Sequence, residues 1–543
     1  MIKYWFSIIT IILLNTVGFA QIEFTWLIGS EYYNYPADYG TILVENSNNH
    51  PGARENATTW TTPDGNLWLF GGKGKTANQT GFLNDLWSFS ISTNKWTWRG
   101  GTNTVNHLGT YVSQGTSTNN GMPSCRQNAS SWVGIDGCLY LFGGQQTPST
   151  NPFYNLNDLW KFNPNTNEWT WLMGSSVTND AGNYGSQGVT SSTNNPPSRF
   201  GAYSWVDSAG NFWLFGGRVC ISCNSSVTRL NDLWKFDPNT KNWTWVSGSN
   251  QVNQSGVYGT QNQGSITNYP GARQAGLTWV DSNDNLWLFG GDGCSENGTV
   301  GYLSDLWKFE ISSGKWTWVK GNKTTGIGGT YGTLGTSNST NLPGSRQMSI
   351  SFNDNSNKLW LLGGWGQLDP ANFGRLNDLW SFNLSDSNWT WEAGCNCVDD
   401  TANYGAVGQS SSNYHPGGRR MSASWQYNGD FFFFGGNGYD KLDSLGLMGD
   451  LWKISVNSSS SLDENQDVLK KYLLYPNPTT QEFMLSVSSE SVGKTYKIVD
   501  QFGKMIKTGR IESEKHIISI EGIENGYYTI SIGNIHLKGL ILR

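Results

Sequence analysis

The chain has 543 residues and a net charge of −6, and only 14% of its residues are charged. Nucleic-acid binding needs a basic surface that displaces counterions, so this balance disfavours a nucleic-acid partner. Gly (67 residues) and Trp (28 residues) are far above ordinary usage, which is typical of many short strands joined by tight turns.

The first twenty residues have the features of a secretory signal peptide. Lys3 supplies a positive charge, residues 5–14 form an apolar run, and small residues precede a cut after Ala20. A membrane anchor is the alternative, but about ten apolar residues are too few to cross a bilayer. We expect cleavage after Ala20, and no later stretch looks transmembrane.

A six-fold repeat occupies most of the chain. Apolar runs end in Gly-Gly pairs that begin at positions 71, 143, 216, 290, 363 and 435, in steps of 72, 73, 74, 73 and 72 residues. Such a period indicates a repeat architecture. Each repeat contains four strand-like pieces bounded by turn residues, which in the first repeat are residues 54–60, 67–72, 85–90 and 95–99. Six units of four short antiparallel strands predict an all-β fold, a six-bladed β-propeller.

The two ends of the repeat region complement each other. The sixth repeat has no "WTW" fourth strand, whereas "FTW" at residues 24–26 stands alone before the first repeat. In the other repeats a Tyr follows the second Trp by 13 residues and an Arg follows that Tyr by 15, and Trp26, Tyr39 and Arg54 keep these spacings. We therefore expect the N-terminal strand to pair with residues 451–454 and to close the ring of blades.

The repeat resembles the kelch repeat, in which a hydrophobic strand ends in Gly-Gly and an aromatic residue and a Trp follow at set distances. The resemblance covers about residues 22–454 and implies a kelch-type propeller over residues 21–456. The units are longer than a kelch repeat of about 50 residues because long segments separate the fourth piece from the next first piece. The glycines are expected to be structural, since glycine permits positive φ and close backbone approach.

The order of antiparallel strands predicts one face as the functional surface. The loops between second and third strands and between fourth and first strands fall on the same face, and both are long, at 12 or more and about 25 residues. The remaining turns are short and fall on the opposite face. Loops on a rigid scaffold commonly carry function, so we expect a ligand on the long-loop face.

Each repeat has one Arg and one Tyr at fixed positions. A residue that occurs six times does not serve as one catalytic group, so we expect structural roles: Arg pairs with a repeated Asp from blade to blade, and Tyr packs the long loops. The alternative is a ring of arginines that meets an anion at the mouth of the channel. The residues are Arg54, Arg126, Arg199, Arg273, Arg346 and Arg419, with Tyr39, Tyr111, Tyr184, Tyr258, Tyr331 and Tyr404.

Residues that break the repeat are the candidate ligand-binding residues. Trp365 lies directly after a Gly-Gly pair, and it can stack on a sugar, anchor a partner or simply cover loop backbone. His50, His107 and His415 also fall on the predicted long-loop face. Neutral imidazoles can bind copper or zinc, and galactose oxidase, with a kelch-like propeller, holds copper with two His and two Tyr. Nothing here matches that site residue by residue, so we assign no catalytic residue, metal or cofactor.

The seven cysteines all precede residue 452, and their odd number leaves at least one unpaired within a monomer. Cys220 with Cys223, and Cys395 with Cys397, are close pairs inside loops. The first pair resembles half of a zinc site, but no second half follows at a useful spacing. We favour two interpretations: disulfides that close a loop, or cysteines that serve only as small side chains.

The composition changes after residue 456. A Ser-rich linker over residues 457–471 precedes a tail, residues 472–543, that has no Trp or Cys. The tail resembles the type A C-terminal sorting domain of the type IX secretion system, through "YPNP", a central hairpin and a basic last strand. An ordinary small β-sandwich is the alternative. The resemblance implies export across the outer membrane by that secretion machinery.

The sequence thus predicts a six-bladed kelch-type propeller closed by its N-terminal strand and followed by a small C-terminal β-sandwich domain. The function that we favour is a secreted or cell-surface binding protein for a glycan or a surface protein. The alternative is a secreted carbohydrate-active enzyme, such as a galactose-oxidase-like oxidase or a sialic-acid-processing propeller.

Overall fold

The computed structural model of the chain describes residues 21–146, 154–220, 228–354, 357–457, 473–475, 479, 482–487, 491–500, 504–532 and 535–541. These residues form antiparallel sheets and no α-helix, so none of them belongs to a helix able to cross a membrane. The chain divides into two compact units, one of which is Ala20–Asn457. The predicted signal peptide and all but the first residue of the predicted linker lie outside the described residues.

The first unit contains six sheets, numbered here in chain order, and begins with strand β1 (Gln21–Ser30). Sheet 1 contains β2 (Arg54–Glu55), β3 (Thr58–Thr61), β4 (Asn66–Lys75), β5 (Thr80–Ser90) and β6 (Lys95–Gly100). Sheet 2 contains β7 (Ser117–Thr118), β8 (Ser130–Val133), β9 (Leu139–Gln146), β10 (Tyr154–Asn163) and β11 (Glu168–Met173). Sheet 3 contains β12 (Thr190–Ser191), β13 (Arg199–Phe200), β14 (Tyr203–Val206), β15 (Phe212–Val219), β16 (Thr228–Asp237) and β17 (Asn242–Ser247).

The remaining three sheets follow the same order. Sheet 4 contains β18 (Arg273–Gln274), β19 (Leu277–Val280), β20 (Asn285–Cys294), β21 (Val300–Glu310) and β22 (Lys315–Lys320). Sheet 5 contains β23 (Arg346–Gln347), β24 (Ile350–Asn353), β25 (Lys358–Gln367), β26 (Phe373–Asn383) and β27 (Asn388–Ala393). Sheet 6 contains β28 (Ser410–Ser411), β29 (Arg419–Arg420), β30 (Ala423–Tyr427), β31 (Asp430–Tyr439), β32 (Leu445–Asn457) and β1.

The core lies between neighbouring sheets rather than within one of them. In each sheet the Gly-Gly strand has strands of its own repeat along both edges. Its side chains are also buried on both faces of the sheet, as the unbroken run of buried residues in β4 shows. One cluster joins Trp60 and Phe70 of sheet 1 to Leu141 and Trp160 of sheet 2, and each of these side chains is at most 3% exposed. A buried aromatic side chain removes 150–250 Å² from water and contributes about 4–6 kcal/mol at about 25 cal/mol per Å².

In each sheet the Gly-Gly strand and the strand that follows it form a hairpin, called here the central hairpin. Its strands are longer than the sequence predicts. In sheet 1 the pairing of β4 with β5 continues past the glycines through a β-bulge between Phe70 and Gly72, and only residues 76–79 connect the two strands. Gly71 has φ 64°, and a Cβ there would lie 2.8 Å from the carbonyl oxygen of Arg126. The expected long loop is therefore mostly strand, because two glycines allow the chain to bulge and continue. Trp365 accordingly lies within β25, not in a loop.

Backbone hydrogen bonds link each sheet to the next at one repeated position. Each residue there has positive φ and donates its N–H to the carbonyl oxygen of its counterpart in the preceding sheet, at 2.8–3.1 Å. The first member donates in turn to the last, so the series returns to sheet 1. These six residues, called here the backbone ring, are Asn56, Asn128, Gly201, Ala275, Met348 and Met421.

The predicted pairing of the N-terminal strand is confirmed. Strand β1 pairs antiparallel with β32, with Phe24 opposite Ile454 and Trp26 opposite Trp452. Phe24 is 2% exposed, and the indole of Trp26 contacts Tyr404 edge to face at 5.0 Å. Strand β1 thus supplies the fourth long strand of the last sheet.

The second unit contains two antiparallel sheets. One has β33 (Leu473–Tyr475), β34 (Glu482–Ser486) and β37 (Lys515–Ser519). The other has β35 (Thr495–Asp500), β36 (Met505–Arg510), β38 (Gly526–Ile532) and β39 (Ile535–Ile541). Phe483 and Ile518 of one sheet share a buried core with Ile498 and Ile530 of the other.

Candidate functional site

A buried charged framework supports the ends of the central hairpins. In sheet 3, Arg199 donates from Nη1 and Nη2 to the two carboxylate oxygens of Asp232, at 2.8 and 2.7 Å. The hydroxyl of Tyr184 and the indole N–H of Trp234 donate to the same carboxylate, each at 2.7 Å. The carboxylate therefore has four donors, as a buried charge requires.

The same arrangement occurs in all six sheets. The Asp residues are Asp85, Asp158, Asp232, Asp305, Asp378 and Asp450. The expected pairing from blade to blade is wrong: Arg54 on β2 and Asp85 on β5 belong to one sheet, because the hairpin between them is a continuous ladder. Burial and then the neighbouring Asp raise the pKa of Tyr39 well above its ordinary range, so its hydroxyl remains a donor. Five further tyrosines in this arrangement behave alike: Tyr111, Tyr184, Tyr258, Tyr331 and Tyr404.

Beside this uniform framework lies a set of positions that differ from sheet to sheet, called here the rim. One row follows each framework Arg, and its members are Glu55, Gln127, Phe200, Gln274, Gln347 and Arg420. Opposite it, a second row follows each Gly-Gly pair: Lys73, Gln145, Arg218, Asp292, Trp365 and Asn437. The facing third row on the next strand is Phe82, Asn155, Arg229, Tyr302, Arg375 and Leu447.

Rim side chains of neighbouring sheets contact one another. Arg229 of sheet 3 forms an ion pair with Asp292 of sheet 4 at 2.5 Å, and Gln274 donates to the same carboxylate at 3.0 Å. Tyr302 of sheet 4 stacks on Phe373 of sheet 5, with ring centroids 5.0 Å apart. Direct side-chain contacts therefore connect the surface of sheets 3, 4 and 5 at the rim.

Trp365 is the centre of the most charged part of the rim. The guanidinium carbon of Arg375 lies 5.0 Å from the centroid of this indole, and that of Arg420 lies 4.7 Å from it. Arg375 is held by Asn437, whose Oδ1 accepts from Nε at 3.1 Å and from Nη2 at 2.6 Å. The ring of Phe373 is nearly perpendicular to the indole, with the ring centroids 4.9 Å apart. This group of Trp365, Arg375 and Arg420 is called here the arginine–tryptophan cluster.

Positive charge exceeds negative charge in this cluster and its surroundings. Burial raises the pKa of Glu55 despite the nearby Lys73, Arg420 and Arg375. Burial first, and the neighbouring Arg375 second, lower the pKa of Arg420 below its ordinary value. The sequence analysis missed both arginines. Arg420 could have been found because the residue directly after the repeated Arg differs among otherwise uniform repeats, and Arg375 because the residue directly before each repeated Leu-Asn/Ser-Asp also differs.

Two cavities lie along the first strands of the sheets. A cavity of about 170 Å³ is lined by the backbone ring and the residues that follow it. A second, of about 460 Å³, is lined by Trp, Val and the hydroxyls of Thr59, Ser131, Ser204, Ser351 and Ser424. Within the described residues neither lining includes a carboxylate or an imidazole, so neither offers a general acid or base.

The three candidate histidines contact different sheets. His50 is 5% exposed; its Nε2 donates to the Gly449 carbonyl at 2.7 Å and its Nδ1 accepts from Gly52 N–H at 2.9 Å. Both ring nitrogens of His50 are thus used inside the protein, and burial lowers its pKa to about 4. His107 accepts from Gly109 N–H at 3.0 Å, and His415 lies 3.5 Å from an Asp400 carboxylate oxygen. The structure does not bring the histidines together with Trp365.

Two cysteine sulfurs and one carboxylate form the candidate metal-ligand group found among the described residues. Its members are Cys395, Cys397 and Asp400. Cys395 and Cys397 are joined in a disulfide, so their sulfurs are not thiolate ligands. Cys220 is also disulfide-bonded, whereas Cys138 and Cys294 are buried free thiols.

A group of exposed tyrosines lies in the segment after β1. Tyr32, Tyr33 and Tyr35 are 45%, 43% and 45% exposed. The ammonium group of Lys441 lies 4.6 Å from the ring centroid of Tyr32. Exposed Tyr is common in recognition surfaces, because it offers apolar area and a polar tip at low entropic cost. The run "EYYNY" in the sequence was the available signal, and the sequence analysis did not use it.

Comparison with known proteins identifies the C-terminal unit. Residues 473–539 match the secretion system C-terminal sorting domain family, and no kelch-repeat family matches the chain. The chain is also similar to Beta-agarase A of Zobellia galactanivorans, with 29% identity over 117 residues. That match covers 19% of this chain and 22% of the agarase. The sorting domain marks a protein that is exported and then secreted or attached to the cell surface, and it implies interaction with the type IX secretion machinery.

Proposed function

We propose that the chain is a secreted or cell-surface binding protein that recognises a glycan or a protein ligand through the rim. The observation that carries this proposal is the contrast between framework and rim. The framework repeats the same Arg, Asp and Tyr in all six sheets, whereas the rim presents different side chains at equivalent backbone positions. A uniform scaffold with a variable surface suits recognition of one asymmetric ligand.

The six sheets are, in this proposal, the blades of a kelch-type β-propeller closed by the N-terminal strand. The backbone ring supports it, because its last hydrogen bond runs from Asn56 in sheet 1 to Met421 in sheet 6. A second series gives the same support: the indole of Trp60 donates to Tyr140 of the next sheet, and the indole of Trp425 donates back to Trp68 of sheet 1. Sheets that contact in a cycle enclose a central axis, as propeller blades do.

The proposed domains follow the same division. Residues 1–20 are a signal peptide, residues 21–456 the propeller, residues 457–471 a linker and residues 472–543 the sorting domain, a small β-sandwich. Of the predicted ligand-binding residues, we propose Trp365 as the main contact and His107 and His415 as peripheral ones. His50 has a structural role instead, since neither of its ring nitrogens is free.

The test is binding of residues 21–457 to arrays of defined glycans and purified surface proteins, followed by titration of each hit. Trp365→Asn is the informative variant, because sheet 6 has Asn437 at the equivalent position and the fold therefore accepts Asn there. Loss of a central aromatic anchor costs about 2 kcal/mol or more, which is a weakening of about 30-fold. Ile135→Asn is the matched control, because Ile135 is 77% exposed on the opposite face. Equal affinity in Trp365→Asn and the parent would show that the rim is not the binding surface.

A further inference from the structure

We propose that the arginine–tryptophan cluster binds an oxyanion carried by a saccharide, either the carboxylate of a uronic acid or a sulfate ester. This inference rests on the proposed function and adds the chemical class of the ligand. Planar guanidinium groups bind both oxyanions through paired N–H donors.

The first argument is the unused hydrogen-bonding capacity of Arg420. This side chain is half-buried, and its Nε is buried without a partner. Within the part of the chain that the structure describes, Arg420 forms no ion pair. Glu55 is the carboxylate that acts on it electrostatically, without direct contact, and burial raises the pKa of that carboxyl group. A partly buried guanidinium that no oxyanion contacts directly is costly, and a bound anion would offset that cost. The framework arginines, in contrast, each have an Asp.

The second argument is the position of Arg375. Its guanidinium lies against the same indole as that of Arg420, and Asn437 fixes its orientation through two hydrogen bonds. Its ion-pair partner among the described residues, Asp399, is 3.7 Å away and is 35% exposed. The two like charges repel each other, which contributes to the lowered pKa of Arg420, and an oxyanion bound beside them would relieve that repulsion.

The third argument concerns the charge of the whole rim. The eighteen rim positions include five cations, Lys73, Arg218, Arg229, Arg375 and Arg420, and two carboxylates, Glu55 and Asp292. Asp399, outside the rim, adds a third carboxylate beside Arg375. The complete chain has a net charge of −6. The rim is thus a locally positive surface on an acidic protein, which attracts anions selectively.

A saccharide fits this cluster better than an acidic peptide. Trp365 and Phe373 are partly exposed and add aromatic surface beside the guanidinium groups, and aromatic surface can contact the C–H groups of a sugar. A ligand that brings hydroxyl groups together with an oxyanion can accept from the guanidinium groups through both, because each guanidinium has several N–H donors.

The experiment is calorimetric titration of the mature protein with four probes: a galacturonate oligosaccharide, a sulfated galactan oligosaccharide, a neutral galactan oligosaccharide of the same length and a Glu-rich peptide. The variant is Arg420→Gln, since Gln occupies this position in sheets 2, 4 and 5 and is compatible with the fold. Arg420→Lys keeps the charge and removes the planar donor pair. Lys315→Gln removes one exposed charge on the opposite face and is the matched control.

We expect at least one anionic saccharide to bind at least tenfold more tightly than the neutral one, and the probe that binds distinguishes carboxylate from sulfate. Arg420→Gln should weaken that binding about 10- to 100-fold, Arg420→Lys less, and Lys315→Gln not at all. Equal binding of neutral and anionic saccharides, or an unaffected Arg420→Gln, overturns the oxyanion site but leaves glycan binding intact. Binding of the Glu-rich peptide alone overturns the saccharide class, and absence of all saccharide binding overturns both this inference and the glycan form of the proposed function.

Discussion

Removal of the N-terminal strand β1 should lower the free energy of unfolding of the first unit, because β1 is a paired and partly buried strand. Strand β1 pairs along its length with β32, and it buries Phe24 (2% exposed) and Ile22 (7% exposed). Without β1, the fully buried Trp452 lies on an open sheet edge. We therefore expect a variant that begins at Glu31 to melt at a lower temperature than the protein that begins at Gln21, and to aggregate through β32.

The size of the effect follows from the buried surface. Phe24 removes about 200 Å² from water, worth about 5 kcal/mol at about 25 cal/mol per Å², and a buried Ile adds about 1.5–3 kcal/mol. Each lost ladder hydrogen bond adds about 0.5–1.5 kcal/mol. A loss of at least about 5 kcal/mol is comparable with the total stability of many proteins. At about 2.1 cal/mol/K per residue over about 430 residues, it lowers Tm by about 5 °C or more.

Differential scanning calorimetry of the two proteins measures this change. Ile266→Ala is a control for loss of apolar surface that is not buried, because Ile266 is 76% exposed. The peptide QIEFTWLIGS, added in excess, should restore part of the lost Tm, whereas a scrambled peptide should not. If the variant that begins at Glu31 melts within about 1 °C of the parent, β1 does not complete sheet 6 and the reasoning is refuted.

Three further predictions test the framework, a buried imidazole and the tail. Asp232→Asn leaves Arg199 as a buried charge without its counter-ion and should cost about 3–5 kcal/mol in urea unfolding, whereas Asp386→Asn, at an exposed site, should cost almost nothing; equal midpoints would contradict the structural role. Burial lowers the pKa of His50 from 6.5 to about 4, so its contribution to stability is complete above about pH 6.5 and is lost as the pH falls towards 4, by about 3 kcal/mol. The free energy of unfolding of His50→Asn should decline less steeply over that pH range. An unchanged slope would show that His50 does not cause the loss of stability. Deletion of residues 472–543 should leave a folded first unit that cell fractionation finds in the periplasm, and its appearance at the cell surface would refute the sorting role.

Much of the fold could be predicted from the sequence because its signals are local and repeated. The Gly-Gly pairs set the period, and the alternation of aromatic residues with turn residues marks the four strands of each repeat. The spacings among Trp26, Tyr39 and Arg54 identified β1 as the missing strand of the last sheet, and the register with β32 confirms that pairing. The composition of the tail indicated the sorting domain, which the family match supports.

The candidate site could be predicted only in part. Trp365 stood out because it follows Gly-Gly where other repeats have a non-aromatic residue. Arg375 and Arg420 lie in different repeats and gave no common signal. The repeated Arg was predicted to pair with an Asp of a neighbouring blade, but it pairs with an Asp of its own sheet. His50, predicted to lie on a loop, is buried against Gly449.

Sequence by itself determined the number of repeats, the strands within each repeat and the strand that completes the last one, because hydrophobic spacing and turn residues act over a few positions. Only the tertiary structure decided which side chains meet at the rim. Arg375 and Arg420 are 45 positions apart in the chain, yet both lie against Trp365, because β29 of sheet 6 packs beside β25 and β26 of sheet 5. Contacts of this kind depend on how neighbouring sheets pack against each other, and that packing cannot be inferred from the order of residues within one repeat.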